Sequence, residues 1–312
     1  MSGDRFVPVA GALGVEIHAP ETSSVSFCNS PFPAHRDYGA LDIYPLDAKF
    51  NDSVACPVNG IVKEVRRFSS PSLSPDKPPI YEYLTLIESD DNPSVYVKII
   101  HACPKVSVDE SVKVGDKIAA LVRSGYYPFW VDPHIHVELR KPEDPLRATG
   151  SYDLDLLGGP AGRKPETKTA SDDDVKGVVT KVEKRYVTIE PNPENWVKIG
   201  NFSGLSARVG EATGILDGGL PFMGYAGVVT EEKTEAGAKV FLAGKLIGEI
   251  TKSLNGFAKL KTTPFKFMVK GHKYLGIANI LSLGDRREIR VIPLRLGQIS
   301  LHVGETVTLN KS

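Results

Sequence analysis

The chain is poor in the residues that mark several large classes of protein. Among its 312 residues are only 3 cysteines, 3 methionines and 2 tryptophans, and 38 basic residues balance 38 acidic ones. The scattered cysteines, Cys28, Cys56 and Cys103, form neither a disulfide framework nor a CxxC zinc pair, so we expect free, buried thiols. The net charge of zero leaves no electrostatic footprint for nucleic acid or for an anionic membrane.

Long apolar runs are also missing. No stretch reaches the roughly 18 consecutive apolar residues that indicate a membrane-spanning helix. Residues 1–5 lack the basic start and apolar centre of a signal peptide, which predicts a protein that stays in the cytoplasm. A Rossmann glycine fingerprint, a P-loop, an HExxH helix and a GxSxG elbow are all absent from the sequence, so none of these motifs assigns a chemistry.

What the sequence does contain is β-strand pattern throughout. Short alternating or apolar runs are separated by Gly, Pro, Asn and Asp, and no long amphipathic helix is indicated. Residues 141–175 are rich in Pro, Gly and charge. We therefore predict an all-β chain with a first domain at 1–145, a linker at 146–175 and a β-rich accessory domain at 176–312. That second domain is expected to be a barrel or sandwich, or two small barrels.

Two turn signals lie within the first domain, and the first of them predicts a β-hairpin. Asn59-Gly60 lies between two apolar alternating runs, and this dipeptide favours a tight hairpin turn. Gly115-Asp116 lies between two short runs of strand pattern in the same way. The aromatic residues of segment 126–130, which follows the second turn, could either wall a substrate groove or pin the loop to the body of the domain.

The most informative stretch is Pro133–Arg140, in which polar and apolar residues alternate strictly. Alternation predicts a strand that places His134, His136 and Glu138 on one face, because side chains two residues apart point the same way. Two imidazoles roughly 6–7 Å apart at Cα suit one metal ligand and one neighbour that acts on whatever the metal holds. The alternative is a pair of surface histidines on a half-exposed strand.

Three further residues complete a set that could carry chemistry. Asp42 stands between aliphatic neighbours in a predicted strand, where a buried carboxylate needs a partner or a metal. His35 lies seven residues upstream on a predicted loop, and His101 closes an apolar strand. Three nitrogen and oxygen ligands with one open position make a catalytic zinc site, and two more histidines could take a proton and steady an oxyanion. The chemistry implied is hydrolysis of an amide.

The order of these motifs resembles the M23 (LytM/lysostaphin-type) zinc metallopeptidases over roughly residues 10–142. The His35 to Asp42 pair is similar to a longer-spaced form of the family's first motif. Later family motifs are matched, in order, by the turn Ser53–Val62, the strand end Ile100–Ala102, the turn Val112–Ile118 and the signature strand Pro133–Arg140.

The resemblance implies a role for each residue. By it, His35, Asp42 and His136 are zinc ligands, and His101 and His134 are catalytic histidines that do not bind the metal. It also implies an all-β fold whose central antiparallel sheet holds the metal, and a peptide or peptidoglycan-like substrate. Two features differ from the family pattern: the seven-residue spacing of the first motif, and the aromatic loop in place of a small Gly/Thr loop.

The function predicted from the sequence is therefore that of a zinc-dependent endopeptidase. One alternative is a non-catalytic binding or regulatory protein on the same fold. Another is a structural β-domain of the kind that carries or docks a swinging cofactor, which would give the histidines no role. The sequence assigns no chemistry to residues 176–312 and no oligomeric state.

Overall fold

A computed structural model describes residues 4–71, 80–159, 174–231 and 233–311. Strands make up 52% of the chain and helices 2%, which confirms the all-β prediction. Within the described residues no helix is long and apolar enough to cross a bilayer. All three cysteines are free thiols, and Cys28 and Cys56 are buried as predicted, while Cys103 is only half-buried.

The chain divides into two compact units. The first comprises Met1–Val25 and Phe32–Leu157, and the second comprises Ser26–Pro31 and Gly158–Ser312. The first unit extends past the boundary that we placed at residue 145, because strand Asp155–Leu156 pairs with strand Phe6–Ala12. Residues 160–173 of the predicted linker lie outside the described residues.

The described residues before position 158 form thirteen strands and one helical turn, α1. They are, in chain order, β1 (Phe6–Ala12), β2 (Val15–Pro20), β3 (Ser24–Ser26), then α1 (Pro33–Arg36), β4 (Ala40–Tyr44), β5 (Ser53–Ala55), β6 (Gly60–Ser70), β7 (Ile80–Ser89), β8 (Tyr96–Ile100), β9 (Ala102–Pro104), β10 (Ser111–Val112), β11 (Lys117–Leu121), β12 (Ile135–Arg140) and β13 (Asp155–Leu156).

In the described part of the chain after residue 158, one 3-10 turn, Pro193–Asn195, interrupts the strands. They are β14 (Val175–Val182), β15 (Val187–Pro191), β16 (Trp196–Ile199), β17 (Phe202–Val209), β18 (Ala212–Leu220), β19 (Tyr225–Thr230), β20 (Lys239–Leu242), β21 (Lys245–Leu254), β22 (Phe257–Thr262), β23 (Phe267–Val269), β24 (His272–Tyr274), β25 (Gly276–Asn279), β26 (Leu281–Ser282), β27 (Ile289–Ile292) and β28 (Thr306–Lys311).

The first unit is built on an antiparallel sheet with strand order β10-β6-β7-β8-β12-β4. Strand β12 lies between β8 and β4, and its register places His136 opposite both Ile100 and Asp42. Because β12 is central, every one of its residues is buried. The signature strand is therefore not the half-exposed strand with surface histidines that was the alternative. Two small sheets, β13-β1-β2 and β5-β11-β9, complete the unit.

The Asn59-Gly60 turn was predicted to close a hairpin but connects two different sheets. The Gly115-Asp116 turn lies between two short strands, as predicted, and these strands also belong to different sheets. Strand β5 pairs with β11, whereas β6 pairs with β7 and β10. The turns bind each other: the Cys56 N–H donates to the Asp116 carbonyl at 2.8 Å, the Gly115 N–H to the Cys56 carbonyl at 3.0 Å, and the Val114 N–H to Asn59 Oδ1 at 2.9 Å. The hairpin prediction was wrong because turn residues fix where the chain reverses, not which strand it meets.

The second unit contains a closed barrel, which the sequence predicted as one option. Strands β17, β18, β19, β22, β21 and β20 pair in that order, and β20 pairs back with β17. A further antiparallel sheet runs β24-β23-β28-β14-β15-β27-β25 and joins the end of β18. The core of the second unit includes Val187, Leu216, Val228 and Ile289, each 0% exposed.

Candidate metal centre

Side chains of His35, Asp42 and His136 converge on one point in the first unit. Nε2 of His35 lies 3.0 Å from Oδ1 of Asp42 and 2.9 Å from Nδ1 of His136. The third side, from His136 Nδ1 to Asp42 Oδ1, is 3.0 Å. Ligands bound to tetrahedral zinc at 2.0–2.1 Å lie about 3.3 Å from one another. A small expansion of this triangle would therefore admit a metal ion.

Each member of the triangle is positioned by a different element. Asp42 on β4 and His136 on β12 are cross-strand partners, which places their side chains together on one face of the sheet. His35 lies in α1, a single helical turn rather than the predicted loop. Pro33 begins this turn, and the N–H groups of Asp37 and Gly39 close it on the Ala34 carbonyl at 3.2 and 3.0 Å.

The electrostatics of the triangle favour a cation at its centre. Burial alone would raise the pKa of Asp42, but the charges of His35 and His134 and the hydrogen bonds of His136 and His35 hold that pKa well below its usual range. Burial would lower the pKa of His136, but its hydrogen bonds with Asp42 and Glu138 raise it to about 9. The lowered pKa of Asp42 leaves a carboxylate at the point where a metal cation would bind.

The carboxylate of Glu138 contacts the far nitrogen of His136. The alternation in the sequence predicted the face on which Glu138 lies but no role for it. Its Oε1 lies 3.1 Å from His136 Nε2 and accepts from Lys98 Nζ at 2.9 Å, while its Oε2 accepts from Arg140 Nη1 at 3.1 Å. Burial would raise the pKa of Glu138, but His136 and Lys98 lower it to about 2. A carboxylate on the far nitrogen of a histidine ligand fixes the ring orientation and increases the ligand's basicity.

The two histidines predicted to be catalytic flank the triangle. The His101 ring centroid lies 5.2 Å from that of His134 and 5.9 Å from that of His136. Glu82, which no sequence signal identified, forms two hydrogen bonds with His101. Its Oε2 lies 2.8 Å from His101 Nδ1, and its Oε1 accepts from the His101 backbone N–H at 3.0 Å. His101 has a left-handed backbone, with φ 74°, and lies between the end of β8 and the start of β9.

His134 is oriented by the main chain. Its Nδ1 lies 2.8 Å from the Asp132 carbonyl oxygen, so Nδ1 carries the proton and Nε2 remains an acceptor. This Nε2 lies 3.5 Å from Asp42 Oδ2. Burial lowers the pKa of His134 to about 4, with Asp42 opposing this shift and His101 adding to it. The ring is thus neutral at pH 7, as a general base must be.

Two aromatic side chains, Tyr127 and Phe32, pack against histidines of the cluster. Tyr127 stacks on His134 at 4.7 Å between centroids, donates its hydroxyl to the His134 carbonyl at 3.1 Å, and meets His101 edge-on at 4.7 Å. Phe32 contacts His136 edge-on at 5.0 Å. Of the two alternatives for the aromatic loop, Tyr127 therefore shows the pinned arrangement. The members of the cluster are only 0–4% exposed: His35, Asp42, His101, His134 and His136.

Over residues 15–156 the chain is similar to a family described as Domain of unknown function (DUF8155) N-terminal domain. This span is just under half of the chain and contains every residue of the cluster. The chain matches no curated protein and no solved structure. What the fold and the site define is an all-β unit with a buried His/Asp cluster that could hold a metal ion.

Proposed function

We propose that this protein is a zinc-dependent endopeptidase of the M23 type. The observation that carries the proposal is the triangle of His35 Nε2, Asp42 Oδ1 and His136 Nδ1, with sides of 2.9–3.0 Å. Two imidazoles and one carboxylate, with a fourth position open, form a donor set typical of catalytic zinc. The substrate class is a peptide, with peptidoglycan cross-bridges or stem peptides as the precedent from the family that the sequence resembles.

Zinc bound here would supply a Lewis acid for the scissile carbonyl and bring the pKa of water to about 7. Side chains of the protein would carry out proton transfer and stabilise the negative charge that develops on the substrate. His134 is neutral and its Nε2, 3.5 Å from Asp42 Oδ2, carries no proton, so it is suited to take the proton from water. Glu82 orients the ring of His101 by accepting from Nδ1, and a His101 ring that carries a proton on both nitrogens would donate from Nε2 to the oxygen on which negative charge develops.

One observation favours a second function, a binding or regulatory protein that holds the metal without turnover. Every residue of the cluster is at most 4% exposed, and Tyr127 and Phe32 lie across it. A peptidase on this fold must move those rings to admit a peptide, whereas a binding protein need not.

The test is metal content by elemental analysis, combined with cleavage of a peptide library. Wild type, His136→Ala and the control His18→Ala are purified without added metal. His18 lies in the same unit, pairs with Glu16 at 3.6 Å and is outside the cluster. We expect about one zinc per chain in wild type and His18→Ala, and little in His136→Ala. No zinc in wild type, even after zinc is offered, would refute the proposal.

Cleavage then separates the two functions. Peptide cleavage that zinc restores and His101→Ala abolishes, with zinc still bound, supports the endopeptidase. Bound zinc without any metal-dependent cleavage supports the binding protein instead.

A further inference from the structure

Six residues from the first part of the chain belong to the second unit. Ser26–Pro31 clusters with Gly158–Ser312, although Val25 before it and Phe32 after it belong to the first unit. We call Ser26–Pro31 the strap. It ends just before Phe32, so only residues 32–34 separate it from His35.

The carboxylate of Asp217 holds the start of the strap. Asp217 lies on β18 and is 0% exposed. Its oxygens accept from Ser26 Oγ at 2.5 Å, from the Phe27 N–H at 2.7 Å and from the Cys28 N–H at 3.0 Å. Hydrogen bonds to a charged acceptor are roughly twice as strong as neutral ones. Three of them from successive residues fix the backbone of this part of the strap.

The rest of the strap is held by close packing in the same unit. The Phe27 ring lies 4.8 Å from that of Phe257, and the Tyr225 hydroxyl donates to the Ser30 carbonyl. A Cβ on Gly218 would lie 2.9 Å from the Cys28 carbonyl oxygen, so the backbones of β18 and the strap are in contact. Hydrogen bonds and packing contacts with the second unit therefore hold the strap in place from Ser26 to Ser30.

The connection from the strap to His35 is short and stiff. Pro31 and Pro33 fix their own φ angles, and the His35 N–H donates to the Phe32 carbonyl at 3.1 Å. A displacement of the strap therefore shifts α1 and the His35 ring with it. His35 is the only one of the three ligand candidates that lies outside the sheet strands of its unit.

We propose that the second unit positions His35 through the strap and so sets the affinity of the metal centre, with Asp217 as the positioning residue. This inference rests on the proposed zinc site. Because coupling between two sites is reciprocal, zinc bound to His35 must in turn stabilise the hydrogen bonds that Asp217 and Tyr225 form with the strap.

The test compares full-length variants that loosen the strap with one that weakens the second unit elsewhere. Asp217→Ala removes the acceptor of three hydrogen bonds, and Tyr225→Phe removes only the hydroxyl donor to Ser30. Val291→Ala, on β27 and 0% exposed, is the control for general loss of stability. Zinc affinity is measured by competition with a chromophoric chelator, and the visible spectrum of the cobalt(II) form reports the geometry of the ligands.

We expect zinc affinity to fall about tenfold in Asp217→Ala, the lower limit for residues that orient a metal ligand, and by less in Tyr225→Phe. Both substitutions should alter the cobalt spectrum, whereas Val291→Ala should change neither the zinc affinity nor the spectrum. Folded Asp217→Ala and Tyr225→Phe with the affinity and spectrum of wild type would overturn the inference and leave the zinc site standing. If Asp217→Ala does not fold, Tyr225→Phe decides. A wild type that binds no zinc would overturn both proposals.

Discussion

Replacing Glu138 with glutamine tests most directly whether the carboxylate behind His136 strengthens metal binding. The substitution preserves the size of the side chain and removes its charge. His136 then loses the carboxylate 3.1 Å from its Nε2, and the cations Lys98 and Arg140, 3% and 0% exposed, lose their shared counter-charge. Loss of such a supporting carboxylate typically weakens metal affinity about 10- to 100-fold, or about 1.4–2.7 kcal/mol. Breaking a buried ion pair costs about 3–5 kcal/mol of folding stability.

Two assays on one protein separate these effects. Zinc affinity comes from competition with a chelator, and the free energy of unfolding comes from urea titration of the metal-free protein. Glu88→Gln is the control, because Glu88 is a part-exposed carboxylate of β7 that pairs with Lys63 at 3.7 Å. It should cost at most about 1 kcal/mol and leave zinc affinity unchanged. A folded Glu138→Gln that binds zinc within about twofold of wild type would refute the supporting role.

Three further changes probe other parts of the structure. Burial would raise the pKa of Glu82, but the hydrogen bond and charge of His101 lower it below 4.5. This carboxylate therefore stabilises the fold above about pH 4.5, and the stabilisation disappears as pH falls through the lowered pKa. Urea unfolding should show wild type more stable than Glu82→Gln at pH 7 and the difference closing in acid, and a gap that stays constant with pH would contradict this. Tyr127→Ala removes the ring over the histidine pair, so stopped-flow measurements should show faster zinc loss to a chelator, and an unchanged rate would mean that Tyr127 does not gate access. Gly218→Ala adds a Cβ 2.9 Å from the Cys28 carbonyl oxygen at φ 111°, so we expect about 1–3 kcal/mol lower stability in thermal unfolding, which an unchanged midpoint would disprove.

The sequence predicted well what depends on a local period. Alternation in Pro133–Arg140 placed His136 and Glu138 on one face, and the structure confirms this, because a strand allows no other arrangement. It predicted less of what depends on distant partners. His101 and Glu82 are 19 residues apart, and nothing in either local pattern indicates that they meet.

Short structural elements could not be predicted from the sequence either. The helical turn α1 has 4 residues, too few for a 3.6-residue period to show. The strap was included in the first domain because it lies within that stretch of chain, whereas its hydrogen bonds with Asp217 span 189–191 residues. Contacts at such a separation leave no trace in the local pattern of either segment.

The distance along the chain between the strap and Asp217 has a consequence for biosynthesis. During translation the first unit emerges complete, with all its histidines, while the residues that hold Ser26–Pro31 are still to be made. A nascent chain must therefore carry the strap unanchored until β18 has left the ribosome and the six-stranded barrel can close. If His35 depends on the strap, the metal centre matures only after synthesis of the second unit, and a chain cut after Leu157 would hold its metal poorly.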